Sequence, residues 1–343
     1  MKKISFGVIG FGHIGKRHAR MIHDHPEAML KAIADVDPLQ HDHATANFNV
    51  PFFDSLDALL SETAIPDVVC ICTPNGLHAP LAIKALEKGC HVVIEKPMGL
   101  SKASCEEVIF TSLKMSKQVF CVMQNRYSPP SQWLKQVVEE NRLGKLFTVQ
   151  INCYWNRDDR YYHPEKQVHP GNWKGKQSLD GGPLFTQFSH FIDIMYWLFG
   201  DITDINAKFA NNNHRHSTEF SDDSGQVSFK FLNGGMGSFN YSTSVWDKNL
   251  ESSMTIIGEN GSIKVGGQYM EQVEYCHILD YQLPEIAPAN PPNDYGAYKG
   301  SAANHQYVIQ NVIDTLLGRS TITTNALEGL KVVDIIERIY ALR

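Results

Sequence analysis

From Ile4 to Met123, short apolar runs alternate with helix-forming stretches, and no other feature constrains the fold as much. Ile4–Ile9 is apolar and ends in glycine, Lys16–Asp24 has helical character, and Leu30–Ala34 is apolar and ends at Asp35. Asp67–Cys72 is a near-continuous apolar run, the pattern of a strand buried on both faces. Leu77–Lys88 sets Leu81, Ala82, Ala85 and Leu86 on one helical stripe. His91–Ile94, Ser101–Ser116 and Val119–Met123 continue as strand, helix and strand. Strands separated by helices predict βαβ units and a parallel sheet.

Past Asn125 the period drops to two. Phe147, Val149, Ile151 and Cys153 alternate with Thr148, Gln150 and Asn152, and Val227, Phe229 and Phe231 alternate with Ser228 and Lys230. Phe239, Tyr241 and Val245 lie in another β-prone stretch, and Thr255–Ile257 with Ile263–Val265 predicts a hairpin around Asn260-Gly261. Leu184–Phe199, Ala302–Leu317 and Leu327–Leu342 read as helices, and the proline-bearing stretch Glu285–Tyr298 reads as an irregular lid or oligomer arm. The expected fold is α/β plus α+β. A Rossmann dinucleotide-binding domain covers 1–124. A second domain, 125–343, carries a large open, mostly antiparallel sheet flanked by helices, and binds substrate and a further copy of the chain. An uncovered apolar sheet face is unlikely to stay in water, so a homodimer or homotetramer is expected.

With 31 basic and 37 acidic residues the net charge is 31 − 37 = −6. Nucleic-acid-binding domains usually carry a basic excess, so a nucleic-acid partner is not expected. No run reaches the ~18 apolar residues of a membrane span. Seven cysteines, at 70, 72, 90, 105, 121, 153 and 276, sit mostly in apolar runs and read as thiols of a reducing, cytoplasmic compartment. No CxxC pair or histidine cluster has ligand spacing, and no metal site is expected.

Gly10-Phe11-Gly12-His13-Ile14-Gly15 fits G-x-G-x-x-G between a strand and a helix. Gly10 permits the tight turn, Gly12 admits a pyrophosphate to the backbone, and Gly15 allows close helix packing. The helix start at His13 and Ile14 offers N–H groups and a positive dipole end to phosphates. Asp35 ends the next strand, 25 residues after Gly10. A carboxylate there accepts ribose hydroxyls and repels a 2′-phosphate, which favours NAD over NADP.

This turn, together with Cys72-Thr73-Pro74-Asn75, His78 and Glu95-Lys96-Pro97, resembles the Gfo/Idh/MocA family of NAD(P)-dependent oxidoreductases over essentially the whole chain. The resemblance implies cofactor contacts from Gly10, Gly12, His13, Ile14, Gly15, Asp35, Thr73, Pro74, Asn75, His78, Glu95, Lys96, Gln124 and Trp173. In that family the lysine of Glu-Lys-Pro reaches the substrate beside the nicotinamide, and the proline is often cis.

The chemistry explains a lysine and a histidine. Oxidising a secondary alcohol sends a hydride to the nicotinamide and needs a base for the hydroxyl proton. Lys96 and His190 are the expected catalytic pair. Thr186, His190 and Asp193, at i, i+4 and i+7 of one helix, are expected to share a face. Many family members carry an aspartate four residues before the histidine; here Thr186 stands there, so the histidine–aspartate dyad is absent and Lys96 is the expected proton carrier.

The strings Gly182–His190, Gln124-Asn125-Arg126, Tyr154–Arg157 with Tyr161, Tyr162 and Trp173, and Asn249-Leu250-Glu251 resemble the branch that oxidises C3 of UDP-N-acetylglucosaminuronate. Substrate contacts are then expected from Lys96, Asn125, Arg126, Arg157, Thr186, Gln187 and His190, since arginine binds carboxylates and phosphates bidentately. His305 is a further candidate at a helix start. The alternatives are a free-sugar or inositol dehydrogenase and a non-catalytic NAD-binding sensor.

Overall fold

The computed structural model describes residues 3–61, 65–163, 172–296 and 298–343. The chain forms two compact units, Met1–Met123 with His305–Val333, and Gln124–Asn304 with Asp334–Arg343.

The first unit runs β1 (Ile4–Ile9), α1 (His13–Asp24), β2 (Ala28–Ala34), α2 (Gln40–Phe48), β3 (Phe52–Phe53), α3 (Leu56–Leu59), β4 (Val68–Ile71), α4 (His78–Glu87), β5 (His91–Ile94), α5 (Lys102–Met115) and β6 (Val119–Cys121). Its six strands are parallel in the order β3-β2-β1-β4-β5-β6. Val68, Val69, Cys70 and Ile71 are wholly buried, as helices on both faces require. The register aligns Ala34, Ile9, Ile71 and Ile94 across the sheet. The residues that follow these strands, Asp35, Gly10, Cys72 and Glu95, therefore leave the sheet at one level.

The second unit holds α6 (Pro129–Glu139), β7 (Leu146–Tyr154), α7 (Asp159–Tyr162), α8 (Pro183–Thr186), α9 (Ser189–Phe199), β8 (Ile202–Ala210), β9 (Ser224–Phe231), β10 (Met236–Ser242), β11 (Glu251–Gly258), β12 (Gly261–Gly266), β13 (Gln272–Ile278), β14 (Pro292–Asp294) and β15 (Lys299–Ala302). Seven strands form one sheet, β13-β12-β11-β7-β10-β9-β8, antiparallel except where β7 meets β10. The hairpin at Asn260-Gly261 is the β11–β12 turn.

Three expectations need correction. Helix α10 (His305–Leu316) and the first part of α11 (Ala326–Tyr340) belong to the first unit, not the second. Helical period marks a buried stripe without naming what buries it. Here Val308, Ile309, Val312 and Ile313 are buried, α10 packs on α1, and the Cys121 N–H donates to the Thr324 carbonyl (3.0 Å).

The single helix expected over Leu184–Phe199 breaks at Gln187-Phe188 into α8 and α9. The open face of the second sheet, expected to be apolar, is mostly polar but exposes Met236 and Ile257 beside Thr148. Val149, Ile151, Phe239 and Ile256 are buried on one side, while the other carries Gln150, Asn152, Ser238 and Asn240, with Asn240 donating to Asn152 (3.0 Å). The stretch expected to be an irregular lid or arm carries β14, which pairs with β15; Ala297 within it lies outside the described residues.

Burying a large aliphatic side chain is worth about 1.5–3 kcal/mol. Ile309→Ala in α10 is therefore expected to cost ~2–5 kcal/mol of stability. Denaturant unfolding measures this, and a loss below ~0.5 kcal/mol would place α10 outside the core.

Candidate active site

In the first unit the glycine turn is shaped by its neighbours. Gly10 has φ 86°, and a Cβ there would lie 2.6 Å from the Cys72 carbonyl. A Cβ on Gly15 would overlap the Gly10 carbonyl oxygen. Beside Gly12, by contrast, no atom lies within 4 Å of the Cβ position. The turn thus closes tightly on the protein side and leaves room at the start of α1, where a pyrophosphate would meet backbone N–H groups of His13 and Ile14.

Asp35 accepts hydrogen bonds from the Phe11 and Asp37 N–H groups. This points its carboxylate toward the turn and leaves lone pairs for ribose hydroxyls. Beside it opens a groove lined by Asp35, Val36, Pro38, His41, Phe52 and Phe53. These residues fit a dinucleotide.

Thr73, Pro74 and Asn75 follow β4, with Asn75 buried. His78 does not reach outward. Its Nδ1 lies 2.7 Å from the Pro97 carbonyl and its Nε2 lies 2.8 Å from the Thr73 carbonyl. The ring braces the Thr73 loop against the cis Lys96-Pro97 peptide. Burial holds it below the ordinary histidine pKa. The expected cofactor contact at His78 becomes a positioning role.

Glu95 is buried and faces inward as well. His18 Nε2 lies 2.9 Å from Oε1, His305 Nε2 lies 3.6 Å from the same oxygen, and the Lys96 main-chain N–H donates to Oε2 (3.3 Å). Burial opposes the charge, but the His18 hydrogen bond and the nearby Lys96 ammonium favour it, and the carboxyl is held at about 2. Burial pushes His305 down to about 3, so at neutral pH it is an uncharged ring beside a carboxylate. Glu95 therefore works through Lys96 and is not an open cofactor ligand. His305 is committed to the same cluster. Three ligand-type residues meet here although the sequence shows no ligand spacing, and among the described residues His18 Nδ1 and His305 Nδ1 have no hydrogen-bond partner. Lys96 itself is half-buried at the strand end.

The second unit assembles the remaining candidates. His190 is buried on α9, its Nε2 3.3 Å from the Gln124 amide nitrogen. Because the helix breaks at 187–188, Thr186, His190 and Asp193 serve separate partners. The Thr186 hydroxyl turns to Asp180, and Asp193 takes Arg126. Arg126 is wholly buried and grips Asp193 through Nε (2.8 Å) and Nη2 (2.6 Å). Its guanidinium is held in a buried ion pair, so the substrate contact expected of it would compete with Asp193. Asn125 accepts from the Ser301 hydroxyl.

Arg157 is different. It is buried among Trp155, Tyr161 and Tyr298, with its guanidinium carbon 4.7, 5.3 and 5.1 Å from their ring centres. It donates to Gln187 Oε1 (2.8 Å), the Asn156 carbonyl (2.6 Å), Asn249 Oδ1 (3.1 Å) and the Lys299 carbonyl (3.1 Å), all of them neutral. Gln187 also donates to the Tyr161 hydroxyl (2.9 Å). Trp173 is half-buried. Lys174, beside it, was not singled out by any motif, and neither was Tyr298. Only the fold brings them to Arg157.

Residues 4–123 match the model of the oxidoreductase family with an NAD-binding Rossmann fold, and residues 131–264 match the GFO/IDH/MocA C-terminal domain. The chain belongs to the GFO/IDH/MocA family. It is 30% identical to the WlbA dehydrogenase of Bordetella pertussis, solved with NADH and UDP-GlcNAcA, with a TM-score of 0.86 over 99% of this chain and 96% of that one. The Chromobacterium violaceum WlbA complex with the same ligands gives 31% identity and 0.88, over 100% and 94%. Levoglucosan dehydrogenase of Pseudarthrobacter phenanthrenivorans is 24% identical over 85% of this chain and 82% of its own length.

As a GFO/IDH/MocA member the chain is an NAD-dependent sugar dehydrogenase, and the glycine turn with its open Gly12 side and Asp35 fits that cofactor. Among the described residues no helix is long and apolar enough to cross a membrane.

Two stability effects follow from this geometry. Asp193→Ala removes the carboxylate paired with the buried Arg126 and should cost ~3–5 kcal/mol in denaturant unfolding; a loss under ~1 kcal/mol would show that this ion pair does not hold the unit together. His305 binds its proton at about 3 when folded against an ordinary 6.5. The unfolded chain therefore binds more protons in that window, and stability should fall as pH drops from 6.5 toward 3, by up to about 1.4 kcal/mol per pH unit. The low Glu95 value adds loss in the same direction at the acid end. His305→Gln should flatten the slope, and an unchanged slope would contradict the assignment.

Proposed function

We propose that this dehydrogenase oxidises the C3 hydroxyl of UDP-N-acetylglucosaminuronate, a step toward surface polysaccharide, in the cytoplasm and as a homo-oligomer. The observation that carries the substrate is the likeness to two WlbA enzymes solved with NADH and UDP-GlcNAcA, 30% and 31% identical along nearly the full chain. Arg157 supports it. A buried guanidinium served only by neutral acceptors leaves positive charge for an anionic substrate. Seven cysteines without a disulfide fit a reducing compartment.

In this reading NAD+ supplies the hydride acceptor when bound. Asp35 accepts the adenosine ribose hydroxyls, and the N–H groups at His13 and Ile14 hold the pyrophosphate. Lys96 takes the proton from the C3 hydroxyl. Glu95, fixed by His18, holds the main chain at Lys96. His190, with no aspartate at 186, orients the hydroxyl by hydrogen bonding. Thr186 acts through Asp180, and Gln187 through Arg157.

A free-sugar dehydrogenase is the second reading, favoured by the levoglucosan dehydrogenase relative at 24% identity. A non-catalytic sensor would have no use for Lys96 and His190, and both are present.

The purified protein is to be followed at 340 nm with UDP-N-acetylglucosaminuronate, with and without NAD+ and 2-oxoglutarate, beside levoglucosan, inositol and glucose. Turnover confined to the nucleotide sugar is expected; turnover confined to a free sugar would replace the substrate. Lys96→Ala should lower kcat by ~10²–10⁴-fold while NAD+ still binds. Near-normal kcat would remove Lys96 as the base. Asp35→Ala should weaken NAD+ binding and its preference over NADP+, and unchanged selectivity would defeat the ribose assignment.

A further inference from the structure

Lys174 sits in the second unit with its ammonium 4.1 Å from the Tyr161 ring centre and 5.1 Å from that of Tyr298. Arg157 lies against the same two rings. Two cations thus share one tyrosine box and repel each other. Among the described residues the Lys174 ammonium contacts these rings and has no hydrogen-bond acceptor. Asp180 is the acidic group whose charge reaches it, and that carboxylate already accepts the Gly175 N–H (2.8 Å) and the Thr186 hydroxyl. Burial and Arg157 together pull Lys174 down to about 8. Cation–π attraction returns less than the lost hydration of an ammonium takes away. Arg157 cannot supply a two-pronged grip, because four hydrogen bonds already occupy its guanidinium.

We infer that Lys174 and Arg157 form an anion site floored by Tyr161 and Tyr298, in which Lys174 hydrogen-bonds an oxyanion of the substrate and Arg157 supplies a fixed positive field. The ligand class is a sugar bearing a carboxylate or a diphosphate, with the tyrosine faces against its apolar side. The inference deepens the nucleotide-sugar reading and rests on it for the identity of the ligand. The site loses its charge as Lys174 deprotonates. The groups facing it are Arg157, Tyr161, Tyr298 and Asp180, and of these Lys174 is the one that titrates near 8.

The test is calorimetric titration of the NAD-loaded protein and its Lys174→Met and Lys174→Arg variants with UDP-N-acetylglucosaminuronate, UDP-N-acetylglucosamine and inorganic pyrophosphate. Lys174→Met should weaken binding about 10- to 100-fold, and Lys174→Arg by no more than about 3-fold. The thermal midpoint of ligand-free Lys174→Met should equal or exceed that of the unsubstituted protein, since a half-buried ammonium repelled by Arg157 is removed. Loss with both nucleotide sugars assigns the diphosphate, and loss with the uronate alone assigns the carboxylate. Wild-type affinity should fall as pH rises through about 8, and the Lys174→Arg variant should not follow. If neither UDP sugar binds, the nucleotide-sugar reading fails. Pyrophosphate binding that Lys174→Met removes would still uphold the anion site. Wild-type affinity of Lys174→Met for every ligand bound, or no binding of any of the three, overturns it.

Discussion

A single buried carboxylate organises the first unit. Glu95 leaves the end of β5 and meets His18 from α1 and His305 from the start of α10. Taking an ion out of water costs several kcal/mol, and such a charge persists only where hydrogen bonds replace its hydration. His18 and the Lys96 main-chain N–H provide them here, and an uncharged His305 closes the other side. The glycine turn that opens α1, the peptide that carries Lys96 and the first turn of α10 are thereby fixed to one another. This is also why the nucleotide-binding unit needs residues from beyond 304. Without α10 the carboxylate would lose the wall that His305 supplies.

The second unit turns on how buried positive charge is shared out. Arg126 and Arg157 both vanish from the surface, and both looked equally suited to an anionic substrate. Arg126 has Asp193 three residues along from His190 and uses it in full. Arg157 has amides and carbonyls, which satisfy its N–H groups and leave its charge unanswered. That difference in partners, not exposure, distinguishes the two, because neither is exposed.

Much of this was legible in the sequence, for physical reasons. Strands buried on both faces write continuous apolar runs, and half-buried strands write alternation, so DVVCIC and FTVQINC announce two different sheets. Gly10 and Gly15 were readable because no other residue fits where their neighbours' carbonyls approach. The parts that escaped depend on long-range pairing. His18, Glu95 and His305 are 77 and 210 residues apart along the chain (95 − 18 and 305 − 95) and show no ligand spacing. Phe188 ends a turn that the apolar pattern runs through, so Thr186 and His190 were placed on one helix when they begin and end different ones. Lys174 carries no motif and acquires meaning only from the rings it rests on.

The claim at the centre is that hydride leaves C3 of the nucleotide-linked uronate. The most direct measurement is turnover of UDP-N-acetylglucosaminuronate deuterated at C3, with the NADH formed analysed by proton NMR. The account requires deuterium at the nicotinamide C4 position and a ketone at C3 of the sugar. NADH free of deuterium would mean that oxidation occurs at another carbon, and the assignment of Lys96 to the C3 hydroxyl would fall with it.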